Sequence, residues 1–365
     1  MFTQLINKVK PSFISECIAD AGIDEDAIEI RYWLRSKVGI ANTYVTYRVV
    51  TFRFYLWMNY KGIKLKTVTN RNIIDYLEFI NNPPESWCGS CHHFTHSQWR
   101  PFRQKLSPHS IQFNMQLLRQ MFTDLAESGY ITKSPFPSNL KYSYITKNLP
   151  VEKYLTIAEY KEIRNYISSL PETTSKKINF KIRINWLIDL LIYTGARRSE
   201  VVNAKMSDII LKNNRLWLKV IGKGNKYGEI PILKKLEDSL NQYRKFHNLP
   251  KIRSRQNTEL DIPLLIKGKT NGQYTGITSE TIRSSIKDIC TGLAKITKNK
   301  VLADKFSKVS PHWFRHTSAT LQVNAGIDLR IVQKNLRHTS IETTMIYQHV
   351  QQDNQHDETS NKFKI

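Results

Sequence analysis

The sequence has few cysteines and no long apolar run. Its four cysteines, Cys17, Cys88, Cys91 and Cys290, are scattered over 365 residues and are too few for a disulfide framework, which indicates a reducing compartment. No stretch of about 18 residues is both apolar and uncharged, and the first residues lack the apolar core of a signal peptide. We therefore expect neither secretion nor a membrane partner, and we predict a cytoplasmic protein.

Acidic residues are also scarce. The chain has 31 Asp and Glu against 55 Lys and Arg, which gives a formal net charge of +24 and an isoelectric point near 9.8. This excess predicts a polyanionic partner and association with the nucleoid. Positive charge exceeds negative both before position 150, with 18 basic and 11 acidic residues, and after it, with 37 and 20. The remaining composition, 40% hydrophobic and 24% charged, excludes global disorder and is typical of about two packed domains.

The first part of the chain is predicted to be helical. Apolar periodicity and end signals predict helices over 43–60, 73–80 and 107–129. The segment of about 81–106 is rich in proline and has no period, so we interpret it as a surface loop inserted between helices. We expect the aromatic residues of the first helix to fill a core rather than to stack on bases; they are Tyr44, Tyr47, Phe52, Phe54, Tyr55 and Trp57.

A polar, proline-containing stretch over 134–150 is typical of a linker. We place the domain boundary there. The prediction is an N-terminal helical domain over 1–145, a second domain over 151–350 and a polar tail over 351–365.

End signals define the helices of the second domain. Thr156 and Glu159 form a capping box that begins a helix to about residue 169, and an apolar helix over 184–193 stops at Gly195. Three further helices are predicted over 279–296, 311–324 and 340–350.

A small sheet accompanies these helices. Residues alternate in polarity over 215–221 and again over 229–232, which predicts a β-hairpin with Lys223 in its turn. The predicted fold class is therefore mainly α with a small antiparallel β-sheet.

Basic and phenolic residues recur in four stretches of the second domain: TGARRSEV, VIGKGNKYGEIPI, SPHWFRHTSATL and LRHTSIETTMIYQHV. They supply, in this order, Arg197, Lys223, His312, Arg315, His338 and Tyr347. His312 and Arg315 are three residues apart and would lie on one helical face. Together the series, within 156–350, resembles the catalytic signature of the tyrosine recombinases, the phage integrase family.

The resemblance implies a fold in two parts. A helical core-binding (SAM-like) domain and a tyrosine-recombinase catalytic domain would form a two-domain clamp on double-stranded DNA. It also implies a site-specific recombinase that cleaves and rejoins DNA for integration, excision or resolution. The enzyme would act as a homotetramer on two recombination sites, and an accessory DNA-bending protein stays open as a further partner.

The resemblance assigns a role to each residue. Tyr347 is the expected nucleophile and would form a 3′-phosphotyrosyl bond. Attack places extra negative charge on the phosphate oxygens, and the guanidinium forks of Arg197 and Arg315 suit that charge. Lys223 is implied to protonate the departing 5′ oxygen. His312 and His338 would contact the phosphate or assist proton transfer, with Glu200 as supporting carboxylate. Because the phosphotyrosine keeps the bond energy, no cofactor is expected, neither ATP nor metal.

Several neighbouring residues compete for these roles. Arg198 stands beside Arg197 and Lys226 near Lys223; we assign both competitors to DNA binding. His316 and His349 also lie within the motifs, and we interpret them as structural, outside the catalytic set. Relatives usually have glycine at Arg337 and often have arginine at Gly228. These departures question the turn geometry before His338 and make the hairpin less cationic.

The 81–106 segment contains further candidates. Cys88, Cys91, His92 and His93 are zinc-ligand types, but four ligands within six residues would strain tetrahedral geometry. We therefore prefer a polar loop with free thiols and predict no metal site. Arg100 and Arg103 are candidates for contacts with DNA phosphates, and a solvated loop is an equal alternative.

Other functions are weighed against recombination. A type IB topoisomerase would share the chemistry, but the sequences of the motifs resemble those of integrases. A catalytically silent DNA-binding protein would be expected to lack Arg197, Arg315 or Tyr347, and all three are present. Metal-dependent nucleases need clustered carboxylates, which the motifs do not contain. The acidic segment before Ala41 is too short for a separate arm-site domain, so we predict recognition of core sites only.

Overall fold

The computed structural model describes residues 25–37, 41–90, 98–138, 153–222, 227–256 and 259–347. The chain divides into two compact units between Leu149 and Pro150. The predicted domain limits and the roles of the domains stay predictions. No helix within the described ranges is both long enough and apolar enough to cross a membrane.

The described part of the first unit is helical. Its helices are α1 (Glu25–Ser36), α2 (Ala41–Tyr60), α3 (Asn70–Asn81) and α4 (Pro108–Glu127). The three predicted helices are confirmed, and α1 was not predicted. Ser107 begins α4 as expected, because its hydroxyl accepts a hydrogen bond from the backbone N–H of Ser110 and Pro108 occupies the first turn.

Aromatic residues form the core of this unit. Phe54 lies with its ring centroid 4.8 Å from that of Tyr76 and 5.6 Å from that of Phe122, in edge-to-face contacts. Tyr55 and Trp57 are also buried. The remaining stripe residues pack against this core, so the prediction of a core stripe is confirmed; they are Tyr44, Tyr47 and Phe52.

The 81–106 segment differs from the predicted surface loop. Trp87 is 3% exposed and Phe102 is fully buried, and a backbone bridge joins Cys88 to Phe102. The guanidinium of Arg53 lies 4.7 Å from the Phe102 ring centroid. The surface-loop prediction was wrong for these residues because a segment without period can still place aromatic side chains in a core.

The second unit surrounds a long apolar helix. Its helices are α5 (Ile157–Ser168), α6 (Ser175–Thr194), α7 (Arg198–Asn203), α8 (Lys234–Phe246), α9 (Ser279–Ile296), α10 (Lys300–Lys308), α11 (Pro311–Asn324), α12 (Leu329–Leu336) and α13 (Glu342–Met345). The Thr156 capping box and the helices over 279–296 and 311–324 are confirmed. α6 packs against α8 and α11, and it begins well before the predicted position. Trp186 on α6 is buried and donates to the carbonyl oxygen of Leu264 over 3.0 Å.

Two small antiparallel sheets complete the unit. The first has the order β1 (Ile209–Lys212), β2 (Arg215–Ile221) and β3 (Tyr227–Pro231), with Leu218 opposite Ile230. The second pairs β4 (Ile266–Thr270) with β5 (Gln273–Gly276). The β2–β3 hairpin is confirmed, whereas β1 and the second sheet were not predicted. Residues 223–226 of the hairpin turn lie outside the described residues.

Candidate active site

The site is built at the junction between α6 and α7. Gly195 ends α6 in the left-handed conformation, with φ 58°, and a Cβ there would lie 2.6 Å from Cδ2 of Leu336. Both the conformation and the close approach require glycine. Arg197 is the N-cap of α7, and its backbone N–H donates to Oε2 of Glu200 over 2.7 Å. The sequence TGARRSE therefore places Arg197 and Glu200 in one turn.

Arg315 reaches this junction from the start of α11. It is 3% exposed, and its Nη1 donates to the carbonyl oxygen of Gly195 over 2.6 Å while its Nη2 donates to that of Leu336. Burial, and then the charge of Arg197, lower the pKa of Arg315 to about 10. The guanidinium therefore stays charged at neutral pH, and two carbonyl groups fix its orientation.

Arg197 is held from two sides but stays accessible. Its Nη1 donates to Oε1 of Glu200 over 2.9 Å and its Nη2 donates to the carbonyl oxygen of Arg337 over 3.2 Å. The side chain is 34% exposed, so an anion can approach it. Arg198, its competitor in the sequence, is exposed on the first turn of α7. The structure therefore places Arg197, and not Arg198, in the polar cluster.

Glu200 is a buried carboxylate between two arginines. Arg337 donates from Nη2 to Oε2 over 2.6 Å and from Nε to Oε1 over 3.3 Å, opposite the contacts from Arg197. Burial by itself raises the pKa of Glu200, but the charge and hydrogen bonds of Arg337, and then those of Arg197, hold that pKa below its ordinary value. Glu200 is therefore ionised at neutral pH and supports both guanidinium groups.

Arg337 occupies the left-handed turn that ends α12. Its φ is 56°, the conformation for which glycine is usual, and it costs an arginine about 1 kcal/mol. The turn before His338 therefore keeps the left-handed backbone with an arginine in place of the usual glycine. The side chain of Arg337 points to Glu200 and passes over Gly228, where a Cβ would lie 2.6 Å from Cδ of Arg337.

Tyr347 lies two residues after the last residue of α13 and is 6% exposed. Its hydroxyl oxygen lies 2.6 Å from Nδ1 of His316 on α11. The ring of His338 stacks at 6.4 Å from the tyrosine ring, and Nδ1 of His338 lies 2.8 Å from Oγ1 of Thr344. Burial raises the pKa of Tyr347, and the charge of Arg315 opposes that shift. The predicted helix over 340–350 is observed as the short α13, and residues from 348 onward lie outside the described ranges.

The histidines of the site are neutral at neutral pH. Burial lowers the pKa of His316 and of His338 to about 4, and nearby cations, Arg315 among them, act in the same direction. The pKa of His312 is also lowered, first by burial and then by Arg315. The rings of His312 and His316 meet edge to face at 4.4 Å. Neutral imidazoles can accept protons, which charged ones cannot.

The structure thus brings together six of the predicted site residues: Arg197, Glu200, His312, Arg315, His338 and Tyr347. Lys223 and Lys226 lie outside the described residues. Arg100 and Arg103 belong to the first unit. There, Arg100 donates from Nη1 to the carbonyl oxygen of Trp99 over 2.8 Å, and Arg103 is exposed.

Sequence reasoning missed two members of the cluster. His316 was interpreted as a structural hydrogen-bonding residue outside the catalytic set, and it contacts the hydroxyl of Tyr347. The available signal was its spacing of four from His312, which places both rings on one face of α11. Arg337 was regarded only as a departure from a glycine. Its contact with Glu200 joins positions 137 residues apart, and no local pattern encodes such a contact.

The candidate zinc ligands are only partly described. Cys88 is half-buried, and burial raises the pKa of its thiol. Cys91, His92 and His93 lie outside the described residues. Within the described ranges, no group of three or more metal-ligating side chains converges.

The second unit matches a known family. The model of the phage integrase family matches residues 153–354, which is more than half of the chain. The chain belongs to the phage integrase family. All six residues of the cluster lie within the matched range.

Similar sequences agree with this membership. A tyrosine recombinase XerC of Staphylococcus carnosus is 35% identical over 199 residues, which is 54% of this chain and 59% of that protein. A tyrosine recombinase XerD of Haemophilus influenzae is 28% identical over 237 residues, 65% of this chain and 70% of that protein. The alignment thus spans less than two thirds of the Staphylococcus relative.

Solved structures share the fold of this phage integrase family member. A XerH site-specific recombinase bound to palindromic difH substrate superposes with a TM-score of 0.60 at 17% identity, covering 98% of this chain and 93% of that one. The Tn1549 transposon integrase in complex with circular intermediate DNA gives 0.59 at 16% identity, covering 87% and 93%. The predicted fold class, mainly α with small antiparallel sheets, is confirmed.

Proposed function

We propose that this protein is a tyrosine-type site-specific recombinase that cleaves and rejoins double-stranded DNA through a 3′-phosphotyrosyl intermediate. One observation carries the proposal. The hydroxyl of a largely buried tyrosine, Tyr347, lies at a cluster that combines the charged guanidiniums of Arg197 and Arg315 with neutral imidazoles. A phenol oxygen in a cluster that also contains two guanidinium groups suits attack on a phosphodiester.

The two arginines would bind the scissile phosphate. Attack on phosphorus increases the negative charge on its non-bridging oxygens, and preorganised guanidinium groups stabilise that charge without reorientation. Arg315 is preorganised by the carbonyl oxygens of Gly195 and Leu336, and Arg197 by Glu200. Each guanidinium has five N–H donors, so these contacts leave donors for the phosphate.

Tyr347 would act as the nucleophile. Its oxygen forms a bond to phosphorus as the bond to the 5′ oxygen breaks, which leaves a 3′-phosphotyrosine. We assign the proton for the leaving oxygen to Lys223, and contacts with the phosphate to His312 and His338. The phosphotyrosine retains the energy of the broken bond, so a new 5′ hydroxyl can reverse the reaction without ATP or metal.

The partners follow from the charge and the family. The net charge of +24 supports a polyanionic partner, and the structural neighbours XerH and the Tn1549 integrase were solved bound to DNA. We propose that the two domains, 1–145 and 151–350, hold duplex DNA, with Arg100, Arg103, Arg198 and Lys226 at the phosphates. Exchange between two core sites needs four active sites, hence a homotetramer, and an accessory DNA-bending protein is a further candidate partner.

A covalent-capture experiment tests this function. Nicked duplexes from the flanks of the protein's own gene lose on cleavage the short fragment that carries the free 5′ hydroxyl, and so trap the intermediate. With EDTA present, the wild type should form an adduct that survives a denaturing gel, and Tyr347→Phe should bind the same DNA without forming one. An adduct that requires a divalent metal, or DNA binding with no adduct for either protein, would contradict the proposal.

A further inference from the structure

The contact between His316 and Tyr347 is direct and partly buried. Nδ1 of His316 lies 2.6 Å from the hydroxyl oxygen, and the two ring centroids are 5.6 Å apart. This is a hydrogen-bond distance on the very atom that would attack phosphorus. His316 lies next to Arg315 on α11, one turn after His312, so the helix holds the imidazole and the guanidinium together.

The surroundings keep His316 uncharged. Besides Tyr347, four titratable groups interact electrostatically with His316: Lys153, His312, Arg315 and His338. Burial has the largest effect, and together with electrostatic interactions with His312, Arg315 and Lys153 it lowers the pKa of His316 to about 4. A neutral imidazole has one nitrogen with a free lone pair, and when that nitrogen is Nδ1 the phenol donates its hydrogen bond to it.

We propose that His316 is the general base for Tyr347, a role that rests on the recombinase function proposed above. As the phenolic oxygen forms its bond to phosphorus, its O–H bond breaks and the proton passes to Nδ1 of His316. The electron pair of the breaking P–O bond leaves with the 5′ oxygen. In the rejoining step the imidazolium returns the proton to the departing phenolate of Tyr347.

DNA binding would make this base stronger. Before DNA binds, the positive charges of Arg315 and Lys153 oppose a proton on His316. A phosphodiester seated on Arg197 and Arg315 brings a negative charge that offsets them, because opposite charges nearby favour the protonated imidazole. The base would therefore gain proton affinity only when the substrate is in place, while His338 and His312 stay available to the phosphate.

The alternative is that His316 only orients the tyrosine. Asn at position 316 separates the two roles, because its side-chain oxygen can accept a hydrogen bond near the place of Nδ1 but cannot take a proton. We expect His316→Asn and His316→Ala to slow single-turnover cleavage of the nicked duplex by about 100-fold or more, in line with general-base losses. Added imidazole should restore part of the rate of His316→Ala and none of that of His316→Asn. If His316→Asn cleaves within a few-fold of the wild type, the proposal is wrong.

A modified substrate gives an independent readout. Replacing the bridging 5′ oxygen with sulfur makes a leaving group that needs no protonation, so it relieves a defect in the general acid but not in the base. Lys223→Ala provides the matched general-acid variant. His316→Asn should stay slow on this substrate relative to the wild type, and recovery to the wild-type rate would show that His316 serves the leaving group instead.

Two controls keep the outcomes distinct. Thermal melting and DNA binding of each variant show that it folds, and Asn and Ala provide two variants if one does not. A wild type that forms no adduct would count against the recombinase function. If the wild type cleaves and His316→Asn is fully active, the general-base role of His316 is wrong and the recombinase function stands.

Discussion

The guanidinium of Arg337 donates hydrogen bonds to both carboxylate oxygens of Glu200, from Nη2 to Oε2 over 2.6 Å and from Nε to Oε1 over 3.3 Å. The backbone of the same turn supplies the carbonyl oxygens that orient the two arginines of the site, Arg337 for Arg197 and Leu336 for Arg315. One turn after α12 therefore sets the position of both guanidinium groups that would hold the scissile phosphate.

Replacing Arg337 by glycine should weaken the fold and the site together. Glycine adopts the left-handed backbone without the strain of about 1 kcal/mol that arginine bears there, so the measured loss is the contribution of the side chain less this relief. Removing one partner of a buried ionised carboxylate should cost about 1–3 kcal/mol, since Arg197 still pairs with Glu200. Thermal melting of Arg337→Gly should show a lower Tm, and adduct formation should slow. The matched variant Arg337→Lys keeps the charge without the two-point geometry and should be intermediate. A Tm of Arg337→Gly above that of the wild type would show that only backbone strain was removed and that this ion pair contributes nothing.

The ion pairs of Glu200 should make stability depend on pH. The pKa of Glu200 in the folded protein is below its ordinary value, because Arg337 and Arg197 outweigh the effect of burial. Their stabilisation is therefore complete above the unfolded pKa of about 4.3 and is lost as the pH falls through the lower folded pKa. We expect Glu200→Gln to melt below the wild type at neutral pH, and the gap to close below about pH 4. A gap that is equal at all pH values would contradict this.

We expect that Gly228 on β3 does not tolerate a side chain, because the side chain of Arg337 occupies the space beside it. A Cβ there would meet Cδ of Arg337 at 2.6 Å, and that side chain cannot move without breaking its contacts with Glu200. Gly228→Ala should therefore cost about 1–3 kcal/mol and slow adduct formation. In the Arg337→Gly background the alanine should cost little, because the space is then open. Additive losses in the double variant, measured by melting, would rule out this coupling.

The buried part of the 81–106 segment gives a contrast between two close residues. Phe102 is fully buried against the first core, so Phe102→Ala should destabilise the protein by about 3–5 kcal/mol. Arg103 is exposed, and Arg103→Ala should change stability by less than about 0.5 kcal/mol. If Arg103 contacts a phosphate, its loss should lower DNA affinity and reduce the salt dependence of binding by about one unit in slope. A stable Phe102→Ala protein would restore the surface-loop interpretation.

Strong local signals made much of the fold predictable. Ser107, Thr156 and Gly195 mark helix ends by side-chain or backbone chemistry that acts within a few residues, and the structure confirms each of them. Short or polar elements carry no such signal. β1 has four residues and α10 is rich in lysine, so both were missed.

The site was predictable as a set of residue types in order, but not as a geometry. Arg197, Arg315 and Tyr347 are separated by long stretches of sequence, and their motifs identify them without showing what orients them. The supporting contacts are tertiary: Arg337 to Glu200, and His316 to Tyr347. A hydrogen bond across 31 residues depends on where the chain after α13 lies relative to α11, which residue spacing alone does not reveal.

The proposed reaction depends on one step, in which Tyr347 becomes covalently joined to DNA. The most direct measurement is mass spectrometry of the trapped adduct after digestion with a protease and a nuclease. We expect a nucleotide attached through its 3′ phosphate to the phenolic oxygen of Tyr347, in the presence of EDTA and absent from Tyr347→Phe. A nucleotide attached to another residue, or joined through its 5′ phosphate, would rule out a 3′-phosphotyrosyl intermediate at Tyr347.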